Sequence, residues 1–162
     1  MNLKKILVAV DASENSTRAV DYVGAMIGSS PGFAIQLLYV ERNPERDTFP
    51  DDAAWKKSCE QEEKKMREYL DQARDALQGH GVASKTVSTE YYVPTFNAVP
   101  SQTGFKSPLG VADHILRVIR EGDFGTVVVG RRGMSKAEEF LFGSVSTKIV
   151  HNTKNCTVWV VE

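Results

Sequence analysis

The residues best suited to chemistry lie in "VVVGRRGMSKAEEFLFGSVSTKIV", residues 127–150. Two residues separate Gly130 from Gly133, nine more precede Gly143, and Ser144 and Ser146 come directly behind it. Glycine admits positive φ and lets another group approach the backbone with no Cβ between, so Gly130 and Gly133 suit a loop wrapped on a ligand. Gly143-Ser144 opens a helical stretch, whose first N–H groups are unpaired and sit at the positive end of the helix dipole. The hydroxyls of Ser144 and Ser146 stand beside those amides, and Arg131 or Arg132 offers positive charge. Such a set receives an anion, phosphate above all. The bland alternative is that the glycines only shape a loop and cap a helix. The spacing is not G-x-x-x-x-G-K-[ST], and no G-x-G-x-x-G follows the first apolar run.

Asp11 is the second candidate. It closes the apolar run Ile6–Val10 and precedes the helix-start residues Ser13 and Glu14. Alone, an aspartate there caps its own helix more often than it touches a ligand. Its coincidence with the glycine loop on one sheet edge favours ligand contact.

These residues need elements to hold them. Lys4–Val10, Ala34–Val40, Ser84–Val93, Thr126–Val129 and Thr157–Val161 are expected strands, several of them almost continuously apolar, as strands buried on both faces are. Between them the helical spacing of Ala19, Val20, Val23, Met26 and Ile27 predicts one helix, with Ser13 as N-cap and Gly28 to Gly32 as its end. A long helix runs to about Gln78 with Cys59, Met66, Tyr69, Leu70, Ala73 and Leu77 on one stripe. Others are expected from about Gly110 to Glu121 and from near Gly143. Alternating strands and helices imply a parallel sheet with right-handed crossovers, hence a three-layer α/β/α arrangement. Ligands of such sheets bind beyond the carboxyl ends of the strands, where strand order reverses. Residues 94–108, with three prolines and little periodicity, are expected to be an inserted loop in one domain spanning 1–162.

Lys and Arg number 20 against 21 Asp and Glu, so no overall charge draws the chain to nucleic acid or a membrane surface. The first apolar run is too short for a signal-peptide core or a membrane span, which gives a cytoplasmic expectation. Cys59 and Cys156 are expected to be free thiols, and His80, His114 and His151 to be structural.

Gly130-x2-Gly133-x9-Gly143-Ser144, continued as "GSVS", resembles the nucleotide motif of the ATP-binding branch of the universal stress protein family. "ILVAVDASENS" (6–16) and "NCTVWVVE" (155–162) resemble that family's first and last strands. The resemblance implies a five-stranded parallel sheet in the order 3-2-1-4-5, of the adenine nucleotide alpha hydrolase-like, Rossmann-like kind. It further implies an adenine nucleotide, ATP or else AMP or ADP, with or without Mg2+. By the motif match, Asp11 would bond the adenine or ribose side, Ala9 would lie close to the base, and Val40 would line the adenine pocket. Val129 and Gly130 would sit under the ribose, and Arg132 and Gly133 along the phosphates. Gly143, Ser144, Val145 and Ser146 would hold the phosphates at the helix N-terminus. Ala12 stands where many relatives have glycine. A homodimer through the C-terminal strand, Val158–Val161, is implied by the family and by the apolar edge that strand would present.

No nucleophile–base pair is evident in the sequence, so any hydrolysis is expected to be slow and the chain to act as a binding protein. The competing reading is a dimeric interaction protein that binds no nucleotide. A receiver domain is a poor match, because "YYVPT" offers no phosphoacceptor aspartate at the end of the third strand.

Overall fold

The computed structural model describes residues 1–42, 46–94, 110–131 and 143–162. The chain order is β1 (Asn2–Val10), α1 (Glu14–Ile27), β2 (Ala34–Val40), α2 (Asp52–Gly79), β3 (Val87–Tyr92), α3 (Val111–Glu121), β4 (Phe124–Gly130), α4 (Ser144–Asn152) and β5 (Thr157–Val161). All neighbouring strands pair in parallel, in the order β3-β2-β1-β4-β5. The expected sheet is thus the observed one.

Strand alternation sorts the apolar side chains into two cores. Ile6, Val8, Val10, Ile35, Leu37, Tyr39 and Val128 face α1 and α2, meeting Val20, Val23, Met66, Leu70 and Leu77. Leu7, Leu38, Val40, Val127 and Val129 face α3 and α4, meeting Ile115, Leu116, Ile119 and Ile149. Because both faces are covered, polar side chains are excluded from the strand centres, which explains their unbroken apolar runs. Each fully buried Leu, Ile or Val contributes about 1.5–3 kcal/mol.

Local chemistry fixes the ends. Ser13 is the N-cap of α1, its Oγ accepting from Ser16 N at 3.2 Å, and Gly28 closes the helix at φ 50°. Asp51 caps α2 by accepting from Ala54 N at 2.8 Å. β3 begins later than the sequence suggests, because Ser84–Thr86 forms a 3₁₀ turn in which Thr86 Oγ1 donates to Ala83 O at 2.7 Å. β4 begins earlier, at Phe124. A Cβ on Gly125 would lie 2.7 Å from Leu3 Cα and in collision with Asn2 O, so the backbones of β1 and β4 meet there only through glycine. The pairing of β1 with β4 shifts register between Asn2 and Ile6 at the same place. Both cysteines are free thiols. Among the described residues no helix is long and apolar enough to cross a membrane. The expected loop at 94–108 lies, apart from Pro94, outside the described residues.

Candidate functional site

β1 and β4 are neighbours, with Ala9 opposite Val129, so the ends of both strands open on one crevice. There a cavity of about 120 Å³ is lined by Ala9, Val10, Asp11, Tyr39, Val40, Arg42, Val111, Ile115, Val129, Gly130, Gly143, Ser144, Val145 and Ser146. Its apolar wall is the upper rim of the α3/α4 core: Val40, Val129 and Ile115 are buried there, with Ala9, Val111 and Val145 packed against them. Ala9 is the smallest of these, and it sits on the central strand between Leu38 and Val129. A larger side chain at that point would fill the space.

Asp11 does two jobs. Its Oδ1 accepts from Ser13 N at 3.1 Å and Ser13 Oγ at 2.6 Å, closing the turn that starts α1. Oδ2 has no partner among the described residues. The Asp11 amide donates to Ser16 Oγ at 3.2 Å, and Ser16 Oγ also bonds the Tyr69 hydroxyl at 2.8 Å, so strand end, α1 and α2 are tied together under the cavity. Ala12 completes the turn at φ 59°, the left-handed region that glycine enters without cost.

On the other side stands the start of α4. Gly143 N donates to Arg131 O at 2.8 Å, and the first helical bond is Thr147 N to Gly143 O at 2.9 Å. The amides of Ser144, Val145 and Ser146 therefore have no backbone acceptor among the described residues, and they form the positive end of the helix dipole. An anion placed there is favoured.

Three expectations need correction. The Ser146 hydroxyl is not a spare donor: it is buried and directed at Arg131 O (2.8 Å) and Gly143 O (3.0 Å), bracing the helix start. The Arg131 side chain is not in the cavity, because it pairs with Glu162 while its amide donates to Val161 O at 2.6 Å. Gly130 does not adopt positive φ. A Cβ there would sit 3.0 Å from Asn15 C and Asn15 Cβ, a tight contact with the first turn of α1. Gly130 thus both packs closely on α1 and lines the cavity.

Nine predicted residues, Ala9, Asp11, Val40, Val129, Gly130, Gly143, Ser144, Val145 and Ser146, are brought together on the cavity. Arg132 and Gly133 lie outside the described residues. Val10, Tyr39, Arg42, Val111 and Ile115 line it without having been expected there. Val111 and Ile115 show in the sequence only as the apolar stripe of a helix, and Arg42 only as one charge in a loop.

The flank is rich in buried polar groups. Glu41 is buried, and burial, reinforced by Glu63 and Glu62, raises its carboxyl above the usual range against the pull of the Tyr91 hydroxyl. Burial first, then Glu62 and Glu41, push Tyr39 up to about 12, and its ring lies tilted against Tyr91 at 5.2 Å. On α3, His114 stacks on Tyr92 at 3.4 Å. Arg117 Nη2, which can only donate, lies 2.8 Å from His114 Nδ1, so the ring is neutral with its proton on Nε2. His80 caps α2 and faces Asp21 at 3.6 Å.

The sequence profile of the universal stress protein family matches residues 2–94 and 110–162. The chain belongs to the universal stress protein family. The match passes over 95–109, most of the stretch expected to be inserted. Among solved structures, hypothetical protein MJ0577 is similar at TM-score 0.75 and 19% identity, over 99% of this chain and 96% of that one. Universal stress protein UspA from Lactobacillus plantarum is similar at TM-score 0.75 and 17% identity, over 100% and 99%. A universal stress protein in complex with cAMP is similar at TM-score 0.63 and 19% identity, over 100% and 98%. At these identities the likeness carries the fold. No curated protein sequence matches the chain significantly.

Proposed function

We propose that this universal stress protein is a cytoplasmic adenine-nucleotide-binding regulatory protein acting as a homodimer. Its ligand is ATP, or AMP or ADP in its place, with or without Mg2+. The observation that carries the reading is one cavity joining an apolar wall, Asp11 and the amides of Ser144–Ser146, which have no backbone acceptor among the described residues. A base needs the first, a ribose or base edge the second, and a polyanion the third. The related protein solved with cAMP supports the ligand class.

In this reading Val40, Val129 and Ala9 enclose the base, Asp11 accepts from it or from the ribose, and α4 receives the phosphates, with Arg132 and Gly133 beside them. Hydrolysis is slow, because the site is built to hold an anion rather than to aim a water. Dimerisation runs through β5, whose Val158–Val161 stay half-buried and whose Trp159 meets the exposed Tyr22 edge-on at 5.6 Å.

The internal bonds of Gly143 N and Ser146 Oγ favour the competing reading, in which the loop is structural and only the dimer functions. Calorimetric titration with ATP separates the two. The nucleotide reading predicts millimolar or tighter affinity for the native chain and its loss in Val111→Trp, which fills the cavity from a partly exposed helix position. No binding to the native chain leaves the structural reading.

A further inference from the structure

We infer that Arg42 is the cation at the base end of this cavity and sets its preference for a purine nucleotide over a bare polyphosphate. The inference rests on the nucleotide reading of the same site. Arg42 lines the cavity, is exposed, and makes no ion pair among the described residues. It is also the one cation among the described residues lining that cavity. Arg131, the obvious alternative beside β4, is held by Glu162.

The chain reaches Arg42 directly from the end of β2. Along β2, Tyr39 turns to the α1/α2 core and Val40 to the α3/α4 core. Glu41, the next residue, is buried, and its amide donates to Tyr92 O at 2.8 Å. Arg42 lies two residues past Val40, the last residue of β2, and lines the cavity. Its location then decides which part of a ligand it meets. β1 lies between β2 and β4, and neighbouring strands are about 4.8 Å apart, which puts the end of β2 about 10 Å from the end of β4. The anion site is at α4, directly after β4. Arg42 follows Val40 just past the end of β2 and lines the same cavity. A planar guanidinium there donates to purine ring nitrogens or lies on the ring face, and in both cases it recognises the base.

The test compares native protein with Arg42→Ala, using ATP and inorganic tripolyphosphate as separate ligands in equilibrium dialysis. Arg42 is exposed and outside both cores, so unchanged thermal unfolding is the control. The expected result is a loss of about tenfold in ATP affinity, with tripolyphosphate unchanged within about twofold. Equal losses for both ligands overturn the inference, because Arg42 would then act on the phosphates. Undiminished ATP affinity in the variant overturns it while leaving the nucleotide reading intact. Absence of ATP binding to the native protein overturns both.

Discussion

Ala12 holds a left-handed φ of 59° in the turn between Asp11 and α1, where a Cβ is crowded by its own backbone. Glycine relieves that strain but gives the unfolded chain more freedom. The first effect is the larger, so Ala12→Gly is expected to raise stability by about 0.5–1 kcal/mol. A urea midpoint shifted upward at unchanged slope confirms it, and a lower midpoint contradicts it. His114 makes a second residue-scale prediction. Burial, then the Arg117 guanidinium, push its pKa from 6.5 down to about 4. The folded state resists protonation more than the unfolded state does. Stability from this group is therefore complete above pH 6.5 and drains away as pH falls toward 4, by on the order of 3 kcal/mol. His114→Phe keeps an aromatic ring against Tyr92 and removes the titration, so its unfolding midpoint should fall less steeply over that window. An unchanged slope would show that His114 is not the group responsible.

At the scale of elements, the glycines divide into those that fill a need and those that do not. Gly125 allows β4 to pass the Asn2–Leu3 backbone, so Gly125→Ala should destabilise by about 2 kcal/mol. Gly79, at the end of α2, has nothing within 4 Å of an added Cβ, so Gly79→Ala should be neutral or slightly stabilising. Thermal unfolding of the two variants side by side checks the contrast. The pair also shows why some elements could be read from sequence and others only in part. β2 and β5 were legible because Gly32 and Glu41, and Asn155 and Glu162, frame their apolar stretches. Gly125 broke the apolar pattern at the start of β4, yet it is there for close backbone packing, which no one-dimensional pattern reveals. The site was legible where motif and sheet edge coincide, at Asp11 and Gly143–Ser146. Arg42, Val111 and Ile115 were not, because they come together on the cavity only when the ends of β2 and α3 meet. At Gly130 the motif spacing does not reveal the close approach of the first turn of α1.

For the whole molecule, five parallel strands leave β3 and β5 as edges. β5 carries the more apolar one, with Tyr22 44% and Met26 56% exposed on α1 beside it. Unpaired strand amides next to exposed apolar side chains favour addition of another strand. Sedimentation velocity at micromolar concentration is expected to give a dimer, and a monomer would contradict that surface's role. The two cores, one on each face of the sheet, leave open the strand ends where β1 and β4 diverge toward different helices. The proposed function depends on what those ends receive. Titrating ATP into isotope-labelled protein and following individual backbone amides tests this most directly. Saturable shifts concentrated at Ser144, Val145 and Ser146, with Ala9 and Val129 responding in step, are the predicted result. No saturable shift at millimolar ATP, or shifts clustered away from these residues, would contradict it.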